Sequence, residues 1–309
     1  YAMEAELIQH ASKEHYQEIA ERDLALMKEM DAYVAIRGTR NIYHWSHLSA
    51  EDIKKYNEIY WGPVHLQQRC NHTRWSVIRY PNDAMAQLCS MDTESYREYY
   101  FRACLYDYKM MKEDMKPLVE LMEKTDRVRI VGPGTDLVFS IKDIPVFPMH
   151  GNRNIPDGEI YTAPVKDSVN GTIHYNVPSP FDGVIFTDVT FTFKDGKIID
   201  STSNHPERLK EILDTDEGAR YIGEFAIGVH PFITKPIGDI LFDEKMKGSF
   251  HLTLSNAYDN ADNGNRSSVH WDLIHLQTPE YGGGEIYFDD VLIRKDGLFV
   301  LEELKALNP

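Results

Sequence analysis

Apolar and polar positions fall into two textures along the chain. Over residues 2–30 the apolar side chains recur at helical spacing, with Leu24, Met27 and Met30 on one stripe. Residues 33–36 form a short apolar run ending at Gly38, which predicts a buried strand. Helical spacing returns over 51–70, with a break expected at Gly62-Pro63, and a strand follows over 75–80, stopped by Pro81. Residues 93–124 are again helical in period, with an interruption at Pro117. Helices alternating with short strands predict an α/β domain with a mostly parallel sheet.

Near Asp126 the texture changes to strands and turns. Strands are expected over 128–131, 137–141 and 184–193. Asp195-Gly196 joins two β-patterned runs and suits a type I′ hairpin turn. Helices are expected over 205–213, 216–225 and 243–258, and strands over 268–274 and 286–293, with a second tight turn at Lys295-Asp-Gly297. The predicted fold class is therefore α/β plus α+β. An N-terminal α/β domain covers 1–125, and a mixed, antiparallel-rich C-terminal domain covers 126–309. There is no internal repeat and no low-complexity segment.

Composition narrows the function classes. The 309 residues are 42% hydrophobic and 11% aromatic, the signature of a globular chain with a full core. With 33 Lys plus Arg against 49 Asp plus Glu, the net charge is −16. That balance argues against a nucleic-acid binder, which needs clustered cations on phosphates, and against an anionic membrane surface. It leaves room for metals and positively charged substrate ends. No run of about 18 apolar residues predicts a membrane span. The polar opening lacks the apolar segment of a signal peptide, and a chain starting at Tyr1 reads as a fragment or as one that has lost residues ahead of it. Cys70, Cys89 and Cys104 are odd in number and show no CxxC spacing, which favours a reducing cytoplasm. The glycosylation-type triplets at Asn71, Asn170 and Asn265 read as ordinary polar loops.

Several catalytic signatures are absent: HExxH, GxSxG, the P-loop and GxGxxG. Gly132-Pro-Gly134 reads as a turn. The loop 259–264 looks calcium-like, but Ala261 and His270 would stand at ligand positions 3 and 12, so that reading fails. The strongest positive feature is His270-Trp-Asp272, because residues i and i+2 of a strand face the same way. His251 and Tyr258, seven residues apart on the expected helix, would share a face, as a core pair or a functional one. Three glutamates add to these. Glu159 follows a Pro-Asp-Gly turn. Glu224 sits in the apolar Tyr-Ile-Gly-Glu-Phe-Ala-Ile-Gly, where a carboxylate is costly unless it ligates or pairs, for instance with Arg220. Glu244 lies in Leu-Phe-Asp-Glu-Lys, where Asp243 and Glu244 form either a site or an exposed turn. Two histidines and four carboxylates exceed the needs of one open metal site and suit two metals about 3.5–4 Å apart.

In this order, segments 154–164, 214–224, 241–244, 251–258 and 268–272, with Gly132-Pro-Gly-Thr-Asp-Leu137, resemble the aminopeptidase T, aminopeptidase S and PepS group of metalloaminopeptidases, often labelled leucyl aminopeptidases. The resemblance covers most of the second domain and only loosely the first, whose opening strands are missing by comparison. It implies an aminopeptidase that releases N-terminal residues from peptides with a free N-terminus, working as a cytoplasmic homodimer. It places metal ligands on Glu159, Glu224, Glu244, His251, His270 and Asp272, and a catalytic tyrosine on Tyr258, with Glu159 or Glu224 as general base. Two divalent ions per subunit are implied, zinc or cobalt, with manganese or magnesium as alternatives. The spacings from Glu244 to His251 and from His251 to His270 depart from the group's better known members.

Two other readings compete. His251, His270 and Asp272 make a two-His, one-carboxylate set, as in mononuclear Fe(II) oxygenases, and the chain also resembles 2,5-dihydroxypyridine dioxygenases. Glutamates turned away from the two histidines would favour iron, and glutamates turned toward them a peptidase. The third reading is a non-catalytic relative that keeps the fold.

Overall fold

In the computed structural model, residues 2–38, 40–41, 43–181 and 183–308 are described; the outer limits of the two expected domains, Tyr1 and Pro309, lie outside them. The chain divides into two compact units, Tyr1–Arg97 with Arg153–Ile155, and Glu98–Asn152 with Pro156–Pro309.

The first unit carries a three-stranded sheet in the order Ala32–Arg37, Arg74–Arg79, Asn154–Ile155, with both pairings parallel. Helices Ala2–His10 and Lys13–Glu29 precede it. The break expected at Gly62-Pro63 does not occur. The helix Ala50–Tyr56 runs on as a wider π-helix, Asn57–Arg69. A Cβ at Gly62 would stand 2.9 Å from the Asn57 carbonyl oxygen, so glycine permits the close turn that precedes the proline.

In the second unit Pro117 also fails to end its helix. Tyr108–Met122 continues through it and buries Met111, Met115, Leu118 and Met122 along one face, which offsets the lost backbone bond. The helical run breaks earlier instead, where Asp107 caps the helix by accepting from the amides of Lys109 and Met110.

Two large antiparallel sheets make up most of the rest of this unit, beside a two-stranded pair, Ser179–Phe181 with Val184–Phe186. One has eight strands; the other has five, in the order His270–Leu276, Ser249–Ser255, Ile222–Gly228, Glu159–Thr162, Phe147–Met149. Phe139, Phe225, Phe250, Leu252 and Leu273 belong to one core that spans both sheets. The Asp195-Gly196 hairpin is present, with φ of 50° and 81°, as a type I′ turn requires. The runs 184–193 and 286–293 each split in two, at Asp188 and at Asp289-Asp290, where positive φ values turn the chain.

Two expected helices are strands. Over 216–225 only the short turn Glu217–Arg220 is helical, and Ile222–Gly228 is a strand buried at all seven positions. An apolar run covered on both faces carries no alternation to distinguish it from a helix. Over 243–258 the helix stops with Ile240–Asp243, and Ser249–Ser255 is a strand. Gly248, at φ 79°, turns the chain, and Phe250, Leu252 and Leu254 then alternate into the core.

Candidate metal centre

The five-stranded sheet decides where the site residues lie. Because Ser249–Ser255 is a strand, His251 and Tyr258 do not share a helix face, which corrects the expected route to their proximity. His251 points away from the core face that Phe250 and Leu252 occupy. Tyr258 stands beyond the strand, at the head of the short turn Asp259–Ala261. Its hydroxyl still reaches 3.3 Å from His270 Nε2.

Neighbouring strands bring the carboxylates to His251. Its Nε2 lies 3.7 Å from Glu159 Oε2 and 3.6 Å from Glu224 Oε1. Glu224 sits beside an irregularity in the pairing with Ser249–Ser255, between Ile222 and Glu224. Arg220, the alternative partner for Glu224, pairs with Asp214 at 2.6 Å instead. His270 and Asp272 stand on one face of their strand, with His270 Nε2 3.6 Å from Asp272 Oδ1. Glu244 follows the short helix Ile240–Asp243. Asp243 does not join the site: it is buried and accepts from the amides of Ile237 and Gly238 at 2.7 and 2.8 Å.

The six residues gather as two triads, Glu159 with Glu244 and His251, and Glu224 with His270 and Asp272. In each, the donor atoms lie within 4.8 Å of one another. Three donors this close together are near enough to converge on one ion. Glu159 Oε2 and His251 Nδ1 are buried without a hydrogen-bond partner. Such orphaned polar atoms are costly unless something ligates them, and this donor set of carboxylate oxygens and imidazole nitrogens fits divalent ions.

The electrostatics agree. Burial, reinforced by Glu244, pushes Glu159 up to about 8 against the opposing pull of Lys245. Burial works against a charged His251, but Glu224 and Glu159 overcome it and hold the ring at about 10. This much negative charge in a buried place calls for cations. Desolvation and the charge of Glu224 and Asp272 push the Tyr258 phenol well above its ordinary range; with the residue 44% exposed, the charge is the firmer cause.

Three further residues escaped the sequence reading. Thr253 Oγ1 donates to Asp272 Oδ1 at 2.6 Å and lies 3.4 Å from Glu224 Oε2. Lys245 is fully buried and donates to Glu159 Oε1 at 2.8 Å. Asp157, also fully buried, stands 3.9 Å from the same ammonium. Thr253, two residues beyond His251, was within reach of a strand-period reading; the burial of Lys245 had no signal in the sequence.

Solved structures share this fold. The chain superposes on wild-type AmpT from Thermus thermophilus with a TM-score of 0.78 at 20% identity, over 97% of this chain and 85% of that one. It superposes less closely, at a TM-score of 0.57 and 14% identity, on 2,5-dihydroxypyridine dioxygenase from Pseudomonas putida KT2440, over 95% of this chain and 99% of that one. Both likenesses are of fold. Aminopeptidase 2 of Geobacillus stearothermophilus is 29% identical over 264 residues, 72% of this chain, which spans only 62% of that relative's length. The sequence pattern of the thermophilic metalloprotease (M29) family matches residues 1–284. By that match over most of its length, the chain belongs to the thermophilic metalloprotease family M29.

Proposed function

We propose that the chain is a metal-dependent aminopeptidase whose catalytic part lies within 126–309. The observation that carries this reading is the pair of triads with Tyr258 beside the second of them. Glu159, Glu244 and His251 would hold one divalent ion, and Glu224, His270 and Asp272 the other. Bound there, two such ions lower the pKa of water and polarise a scissile carbonyl. Glu159 or Glu224 accepts the proton that the water releases, and returns it to the leaving amine. The Tyr258 hydroxyl donates to the developing oxyanion, since a phenol is protonated at neutral pH. The four ligating carboxylates leave no positive charge to repel a free α-amine at the site.

Both glutamates turn toward His251, the arrangement that favours a peptidase over a mononuclear iron enzyme. The metals are zinc or cobalt, with manganese and magnesium as alternatives. The substrate is a peptide with a free N-terminus. No helix of the described residues is long and apolar enough to cross a membrane. Cys70, Cys89 and Cys104 are thiols rather than disulfides, which supports a cytoplasmic location, and the resemblance supports a homodimer, which sedimentation would test. The functional test is hydrolysis of Leu-p-nitroanilide by chelator-stripped protein before and after Zn²⁺, Co²⁺ or Mn²⁺, with metal counted per chain. Restored turnover at two metals per chain supports the reading. Turnover of a dihydroxypyridine that requires Fe(II) and O₂ would replace it with the oxygenase.

A further inference from the structure

Lys245 is fully buried, and its ammonium touches three carboxylates at once. It donates to Glu159 Oε1 at 2.8 Å, meets Glu244 Oε1 directly, and lies 3.9 Å from Asp157 Oδ1. Asp157 also accepts from the amide of Gly151 on Oδ2 at 2.7 Å and from that of Gly158 on Oδ1 at 3.1 Å. The lysine backbone is fixed too. Its N–H donates to the Phe242 carbonyl, and its carbonyl accepts from the His230 amide, both at 3.0 Å.

Buried carboxylates gathered around one point repel each other unless a cation compensates them. Lys245 supplies that cation from within the chain, next to Glu244 in sequence. It engages Oε1 of Glu159 and leaves Oε2, the oxygen facing His251, without a partner. One oxygen is thereby anchored while the other stays available to an ion. The charge closes as well: five carboxylates (Asp157, Glu159, Glu224, Glu244 and Asp272) are matched by two dications and one ammonium.

We propose that Lys245 is a positioning residue, an internal cation anchored on Asp157 that keeps Glu159 and Glu244 assembled when their metal is absent. This rests on the reading of those two glutamates as metal ligands. The role is therefore specific to the metal-free state, since a bound dication takes over the compensation of both glutamates.

The test compares melting temperatures of chelator-stripped and Mn²⁺- or Zn²⁺-saturated protein, with metal counted per chain. Lys245→Met, which keeps the apolar stem and removes the charge, is expected to lower the stripped-form Tm by about 10 °C. The loaded form should fall much less, so the gain on metal loading is larger in the variant than in the wild type. Lys245→Arg should stay nearer the wild type when stripped. Adding Asp157→Asn to Lys245→Met should recover part of the stripped-form loss, because one of the three repelling charges is gone. Equal losses in stripped and loaded Lys245→Met overturn this role and leave the metal centre intact. A Lys245→Met protein that folds in neither form, and that Asp157→Asn does not rescue, likewise overturns it. A wild-type protein that takes up no metal and gains no Tm overturns the metal centre and this role together.

Discussion

The two triads use the same donor chemistry, each with one buried and one partly buried carboxylate, and differ in the exposure of their histidine. Glu159 and His251 in the first are almost completely buried, and behind them stand Lys245 and Asp157, themselves sealed from solvent. In the second, the His270 side chain is 35% exposed and Asp272 15%, with the half-exposed Tyr258 beside them. A buried ligand cluster must be compensated by the protein itself, because water cannot screen it. An open one can rely on solvent and is the side a substrate can approach. The buried triad thus reads as the fixed half of the centre and the open triad as its working face.

The sharpest way to break this comparison is to remove the histidine of each triad in turn. His251→Ala should reduce turnover by more than the roughly 100-fold that loss of a supporting partner gives, and should lower metal content below two per chain. His270→Ala should leave one tightly held metal and make the second exchange faster. If chelator competition shows the two variants losing the same metal at the same rate, the distinction between fixed and working halves is lost.

Tyr258→Phe is expected to lower kcat by about 10²–10³-fold, with KM, metal content and Tm near those of the wild type. A fall in metal content instead would make the tyrosine a structural support of His270. Thr253→Val removes the hydroxyl that donates to Asp272 and lies close to Glu224. Equilibrium dialysis should then show the open triad's metal bound about 10–100-fold more weakly, with the buried triad's affinity nearly unchanged.

A separate effect, on stability against pH rather than on turnover or metal, involves two buried histidines outside the triads. Burial holds His230 and His275 neutral, lowering each from 6.5 to about 4. Their folded pKa values lie below the unfolded ones, so the unfolded chain binds more protons between those limits. Their contribution is complete above about pH 6.5 and is lost as pH falls toward about 4, at most about 3 kcal/mol for each. His275→Gln should flatten the Tm profile across that window while leaving metal content unchanged. A profile as steep as the wild type's would show that His275 does not carry this acid sensitivity.

How much of this was legible follows the periodicities. His270-Trp-Asp272 was readable because alternation on a half-buried strand survives in the sequence, and i and i+2 then share a face. The Asp-Gly hairpin was readable because its turn needs positive φ at both residues. The strands carrying Glu224 and His251 stand where helices are expected, for opposite reasons. Ile222–Gly228 is apolar on both faces and so has no period, whereas Phe250-His251-Leu252-Thr253-Leu254 alternates plainly but was absorbed into a longer helical window. The identity of the six candidate ligands did not depend on these assignments, since it came from residue type, order and resemblance.

By itself, then, the sequence determined the two textures and the acidic balance, because these follow from residue chemistry and local spacing, and its resemblance supplied a set of candidate ligands. Only the tertiary structure decided which ligands stand together. Register across three successive strands set Glu159 and Glu224 each within 4 Å of His251, although the three are separated by tens of residues. It also decided that Lys245 lies inside rather than in water. A lysine's hydration normally keeps it at the surface, and here only the enclosure of three carboxylates around its ammonium holds it in the interior.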